Sequence, residues 1–112
     1  MNIKTLVTVT LICLGMSATA EDRILSVAYE VALSDFSAPV TAHGGASFKP
    51  CEECDRIIVR VTPATRYSVN NKTVRLEDFR KAVKQADDRD EKGVIVLHHL
   101  ESDTIKSIKV FI

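Results

Sequence analysis

The chain has 112 residues, of which 46% are hydrophobic and 27% are charged, and its fifteen basic residues balance fifteen acidic ones. This length fits one domain, and the ordinary apolar content and zero formal net charge exclude a disordered chain. A balanced charge gives little support to nucleic-acid binding, so we expect no nucleic-acid partner.

Residues 1–20 have the pattern of a secretory signal peptide. Lys4 supplies the positive start, an uncharged apolar stretch covers 6–16, and a small-residue cleavage site ends at Ala20, directly before the acidic Glu21. The apolar stretch is shorter than the roughly 20 residues that a membrane-spanning helix needs. The pattern therefore predicts cleavage between Ala20 and Glu21.

Cleavage there leaves a mature domain over residues 21–112. Lys4 is the only charged residue removed, so the mature net charge is −1. We expect this domain to be periplasmic or secreted, with no transmembrane segment after removal of the leader. An uncleaved N-terminal anchor is the alternative.

Two strands are predicted in the first half of the mature chain, with a hairpin between them. Residues 24–33 and 56–62 alternate apolar and polar positions, which is typical of half-buried strands. Between them a glycine pair that begins at Gly44 is a turn signal. It predicts a hairpin formed by segments 40–43 and 46–49.

The second half predicts two further hairpins. Asn tolerates positive φ, so the Asn pair that begins at Asn70 predicts a tight turn between strands over 66–69 and 72–76. Residues 94–100 are apolar on both faces, which indicates a central strand. A short turn then joins this strand to the alternating residues 105–112, giving a C-terminal β-hairpin.

Residues 77–87 are the one segment with helical spacing. Its apolar residues recur every three or four positions and form one stripe: Phe79, Ala82, Val83 and Ala86. The sequence therefore predicts an α+β fold: a mostly antiparallel sheet with a single amphipathic helix packed on one face.

Cys51 and Cys54 form a C-x-x-C pair for which three interpretations are open. A structural disulfide suits an exported chain, because disulfides persist in oxidising compartments. A redox-active dithiol normally starts at a helix N-terminus, which lowers the thiol pKa. Here a predicted strand follows the pair, and the negative charge of Glu52 and Glu53 disfavours a thiolate.

A metal site is the third interpretation of the cysteine pair. Cys51 and Cys54 have a zinc-like spacing, and His98, His99 or His43 would complete the set. His98 and His99 are neighbours in a predicted strand and point to opposite faces, so one of them at most joins easily. No catalytic residue set and no cofactor motif is recognisable, so we expect neither catalysis nor a cofactor.

Residues 57–97 run from a strand through a Thr-Arg-Tyr hairpin and an amphipathic helix to an apolar strand. This segment, under half of the chain, resembles the periplasmic domain of the ExbD/TolR family. The residues that carry the resemblance are Val61, Thr62, Pro63, Thr65, Arg66, Tyr67, Val69, Asn70, Lys72, Val74, Leu76 and Glu77. The resemblance implies a shared local fold. The family's proton-driven work is not implied, because its membrane helix carries an acidic residue that the apolar leader here lacks.

The layout of the whole mature chain is similar to that of small exported proteins of Gram-negative bacteria, which share the Pro-Cys-x-x-Cys step and the Thr-Arg-Tyr hairpin. This resemblance implies a periplasmic or secreted protein and indicates no activity. We therefore predict a non-enzymatic binding or envelope-associated domain with a structural disulfide and an unidentified protein partner. The alternative is a thiol-redox or metal-handling protein that uses Cys51 and Cys54.

Overall fold

The computed structural model describes residues 25–112, so the predicted signal peptide and its cleavage site at Ala20 and Glu21 lie outside the described residues. Within that range the strands are β1 (Ser26–Ala32), β2 (Phe36–Ser37), β3 (Gly45–Phe48), β4 (Ile57–Arg60), β5 (Arg66–Val69), β6 (Lys72–Val74), β7 (Gly93–His99) and β8 (Thr104–Phe111). The helix α1 covers Leu76–Gln85.

All eight strands join one sheet, in which β1, β7, β8, β4, β3 and β2 are successive neighbours. Most pairs are antiparallel, including the C-terminal β7–β8 hairpin. Strand β8 also pairs in parallel with β4 and with β5, and β5 carries β6 on its other side. For residues 25–112, the predicted α+β class, with a mostly antiparallel sheet and one α-helix, is confirmed.

One edge of β8 pairs with two strands, β4 and then β5, along its length. Arg60 of β4 pairs with Thr104, and Arg66 of β5 pairs with Ser107, so the chain between β4 and β5 makes a turn. The hydroxyl of the buried Thr65 fixes this turn: it donates to the Ile105 carbonyl oxygen at 2.6 Å and accepts from the Thr62 amide at 3.0 Å.

Helix α1 covers one face of the sheet, as its apolar stripe predicts. Phe79 and Val83 are buried, and the Phe79 ring lies 5.1 Å from the Tyr67 ring and 6.3 Å from the Phe36 ring, measured between centroids. The helix begins after Arg75, whose side chain makes no capping hydrogen bond. Packing on the sheet, rather than a strong cap, therefore stabilises this ten-residue helix.

The sheet curves around the buried residues. The Tyr29 ring of β1 lies 5.3 Å from the Phe48 ring of β3, although four strand pairings separate these strands along the sheet. Side chains alternate between the two faces of a sheet along each strand. The residues that alternate with the buried ones therefore lie on the face opposite α1, which we call the open face. It includes Arg66, Ser68, Leu97, Ser107 and Lys109.

The hairpin predicted around Gly44 is half wrong. Segment 46–49 corresponds to β3, but residues 40–43 form no strand; the partner of β3 is the short β2, which places Phe36 opposite Phe48. Val40 is 70% exposed, and the Gly44 amide bonds the Thr41 carbonyl oxygen. Phe36 is 3% exposed, so burial of its ring determined which segment pairs.

Tyr67 has an unusual position for a phenol. Its ring packs against Phe79 in the core, and its hydroxyl is buried without a hydrogen-bond partner in the protein. Burial raises the pKa of Tyr67 above its usual value of 10.0, because the phenolate would lose its hydration.

Replacing Tyr67 with phenylalanine is expected to raise the free energy of unfolding by about 1 kcal/mol, because it removes the unpaired buried hydroxyl. Because the pKa of Tyr67 is higher in the folded protein than in the unfolded chain, the unfolded chain loses its phenol proton first, above about pH 10. The stability of the wild type therefore falls as the pH rises through the pKa of Tyr67 in the folded protein. The variant should lose this alkaline dependence. Urea unfolding at pH 8 and pH 11, with Tyr29→Phe as control, measures both effects, and lower stability of the variant at pH 8 would contradict them.

Candidate functional site

Cys51 and Cys54 form a disulfide, which confirms the predicted bond. Their Cα atoms are 5.0 Å apart, and the Cys54 amide donates to the Cys51 carbonyl oxygen at 3.2 Å. The bond closes a turn between β3 and β4 in which Cys51 is exposed and Cys54 half-buried. The next regular element is strand β4, so this pair lacks the helix N-terminus that activates redox cysteines.

Replacing both Cys51 and Cys54 with serine is expected to lower the free energy of unfolding by about 2 kcal/mol, because so short a closed loop restrains the unfolded chain only modestly. The fold should persist. Circular dichroism with urea unfolding measures this, and reduced wild-type protein is the control. Loss of the folded state in the variant would show that the bond contributes far more.

The two neighbouring histidines lie on opposite faces, as predicted. His98 faces the core side, where its ring lies 6.2 Å from the Tyr29 ring, and its Nε2 is 2.8 Å from an oxygen of Asp103. His99 lies on the open face, and its Nδ1 is 3.0 Å from the Ser102 hydroxyl. Across residues 25–112, no three His, Cys, Asp or Glu side chains are grouped so that they could hold a metal ion. The proposed set of Cys51 and Cys54 with His98, His99 or His43 is therefore not brought together.

Sequence reasoning missed the partners of these histidines. The β7–β8 turn places Ser102 and Asp103 beside the strand that carries His98 and His99. Ser102 follows His99 by three residues and Asp103 follows His98 by five, and these short spacings were the available signal for the contacts. A catalytic triad needs the hydroxyl and the carboxylate on the two nitrogens of one ring. Here each histidine takes one partner, so the contacts stabilise the turn.

The open face contains a hollow of about 600 Å³, within the size range of small-molecule sites. Three cationic side chains line it: Arg66, Lys106 and Lys109. The other lining residues are apolar or uncharged: Ala64, Tyr67, Ser68, Asn71, Thr73, Leu97 and Ser107. No carboxylate is among them, although the whole chain has zero net charge, so the hollow is locally positive.

A β-bulge explains why a third cation reaches this face. Leu97 pairs with Ser107 but His98 pairs with Ile105, so Lys106 is an extra residue in β8. In a regular strand, Ile105 and Ile108 would point to opposite faces. The bulge lets both isoleucines be buried and leaves Lys106 exposed beside the hollow.

Ser68 contributes an unpaired hydroxyl to the wall of the hollow. It pairs with Lys109 across the β5–β8 register, and its Oγ is buried with no hydrogen-bond partner in the protein. Leaving such a group unpaired costs about 1–3 kcal/mol, and a hydrogen-bonding ligand in the hollow would recover part of this cost once the Ser68 side chain rotates toward it.

A second, smaller hollow adjoins the first, and a third adjoins the second. One of about 210 Å³ shares Ala64 and Lys106 with it and reaches His99 and Ser102. A third of about 380 Å³ shares Ser102 and extends to Arg60. The open face therefore offers a connected concave surface centred on the three cations of the largest hollow.

No helix between residues 25 and 112 has both the length and the apolar character needed to cross a membrane.

Comparisons with known proteins return no match: no protein-family model, no curated protein and no solved structure is similar to this chain at a significant level.

Proposed function

We propose that this chain is an exported, non-enzymatic binding domain of the periplasm or the extracellular space, with the hollow on the open face as its ligand site. The observation that carries the proposal is the composition of that hollow. Three cations and several hydroxyl groups surround a cavity of about 600 Å³ with no carboxylate in its lining. Such a lining attracts and holds an electron-rich ligand.

The same lining supports binding rather than catalysis. General acid–base chemistry needs a group that exchanges a proton near neutral pH, most often His, Asp or Glu. None of these residue types is among those that line the largest hollow. Its Arg and Lys side chains are hydrogen-bond donors with no acceptor, which suits recognition of an electron-rich ligand.

Export is supported by two independent features of the chain. Residues 1–20 have the signal-peptide pattern, and Cys51 and Cys54 form a disulfide, a bond typical of oxidising compartments. In this proposal the disulfide is structural and holds the turn that leads into β4. The resemblance of the Thr-Arg-Tyr hairpin to ExbD/TolR periplasmic domains agrees with an envelope location.

Mass spectrometry of the protein from separated cell fractions tests the proposal. We expect a chain that starts at Glu21, recovered outside the cytoplasm, in which Cys51 and Cys54 react with an alkylating reagent only after reduction. Recovery of the chain from the cytoplasm with Met1 retained and both thiols free would overturn it.

A thiol-redox function is the second candidate, because Cys51 is exposed in its turn and accessible to a partner thiol. An insulin-reduction assay and a measured reduction potential separate the two. A potential below about −300 mV with no insulin reduction supports a structural bond. A higher potential with insulin reduction that Cys51→Ser abolishes would establish the redox function instead.

A further inference from the structure

We infer that the largest hollow on the open face binds a tetrahedral oxyanion of the phosphate type. This inference rests on the proposed binding function and specifies the chemistry of its ligand. The ligand is a phosphate group, carried either by a soluble molecule or by a lipid headgroup.

The first support is that charged and hydroxyl-bearing side chains alternate where β5 pairs with β8. On the open face Arg66 lies beside Ser107, and Ser68 lies beside Lys109, so each cation has a hydroxyl as its lateral neighbour. Diagonal neighbours in a sheet are about 7–8 Å apart, which long side chains span. Arg66 and Lys109 can therefore approach one group that lies between them.

The second support is the number and the directions of the donors. The Arg66 guanidinium is a planar fork suited to two oxygens of one anion. Lys106 and Lys109 add point charges from β8, and the unpaired hydroxyl of Ser68 adds a donor after rotation about its Cα–Cβ bond. A phosphate group, with three or four oxygens, uses donors on several sides, whereas a carboxylate offers two oxygens in one plane.

To test the inference, inorganic phosphate is titrated into the oxidised protein that was recovered from cells. The titration is monitored by ¹⁵N–¹H NMR at constant ionic strength. Acetate is the matched anion. We expect phosphate to bind at least about fivefold more tightly than acetate, with the largest amide shifts in β5 and β8 around Arg66, Ser68 and Lys109. Equal affinities for the two anions, or shifts spread evenly over the surface, would overturn the inference.

Charge-removing variants locate the site. Arg66→Gln and Lys109→Gln are each expected to weaken phosphate binding by about five- to tenfold. Lys81→Gln is the control, because Lys81 is exposed on α1, on the covered side of the sheet. We expect a change below about twofold for this control. Equal effects of all three variants would mean nonspecific charge attraction and would overturn the site.

Ser68→Ala separates a ligand contact from a structural role. The variant removes a buried hydroxyl that has no partner in the protein, so its melting temperature should be unchanged or higher. Phosphate affinity should fall by about threefold. A lower melting temperature with unchanged affinity would show that the hydroxyl supports the fold and would remove Ser68 from the site.

Two further probes distinguish the sources of the phosphate group. Binding of glycerol 3-phosphate without binding to vesicles that contain phosphatidylglycerol assigns a soluble ligand. Vesicle binding that Arg66→Gln abolishes assigns a lipid headgroup. Failure of inorganic phosphate and both probes overturns this inference alone, because the cell-fraction experiment on export and thiol state does not depend on the ligand.

Discussion

Replacing Phe79 with alanine is expected to lower the free energy of unfolding by about 3–5 kcal/mol, the largest effect of any single change considered for this protein. Phe79 is 0% exposed and contacts the rings of both Tyr67 and Phe36. Truncation would remove apolar burial and leave a cavity between the helix and the sheet. Urea unfolding followed by circular dichroism measures the loss.

Lys81→Ala is the matched control for this prediction. Lys81 lies two residues after Phe79 on the exposed side of the same helix, so its truncation tests helix propensity without changing the core. We expect a change within about 0.5 kcal/mol. A comparably small effect of Phe79→Ala would mean that α1 does not anchor the core.

Thr65→Val is expected to lower the free energy of unfolding by about 2–3 kcal/mol, although the side-chain volume is nearly unchanged. The Thr65 hydroxyl donates to the Ile105 carbonyl oxygen and accepts from the Thr62 amide, and Thr65 is 8% exposed. Valine would leave both backbone groups without this partner at the point where β4 and β5 meet β8.

Thr65→Ser is the informative comparison, because it keeps the hydroxyl and removes only a methyl group. We expect it to cost about 1 kcal/mol, the value for one buried methyl. A loss in the serine variant with no loss in the valine variant would show that packing of the methyl group, and not the hydrogen bonds, is what Thr65 supplies. Thermal and urea unfolding of both variants distinguish these results.

Local patterns predicted much of the fold because their residues impose local geometry. Asn70 and Asn71 adopt φ values of 50° and 70°, as a tight hairpin turn requires. The stripe that includes Phe79 and Val83 produced the predicted helix, shifted by one or two residues at its ends. In each case the decisive interactions lie within a few positions along the chain.

Long-range pairing limited the prediction elsewhere. Strand β3 pairs with the segment that contains Phe36 and not with segment 40–43, because the Phe36 ring is buried against Phe79 of α1. A local sequence pattern carries no information about this distant contact. The parallel contacts of β8 with β4 and β5 are likewise invisible in the sequence. The three-residue spacing of Ile105 and Ile108 was the available signal for the bulge at Lys106.

The candidate site shows the same limit. Cys51 and Cys54 are close in sequence, so their disulfide was predictable. Arg66 and Lys109 become diagonal neighbours only through the parallel β5–β8 pairing, so neither was recognised as part of a site. Residues from distant segments that meet across a sheet carry no short motif to reveal them.

The position of β8 in the chain has a consequence for how the protein folds. Among residues 25–112 this strand follows every other strand in sequence, yet it alone joins the β1–β7 pair to β4 and β5. Without residues 104–111, no strand pairing joins the β1–β7 pair, the β2–β3–β4 strands and the β5–β6 hairpin to one another. Closure of the sheet therefore requires β8, and contacts between such distant segments make folding slow relative to local hairpin formation.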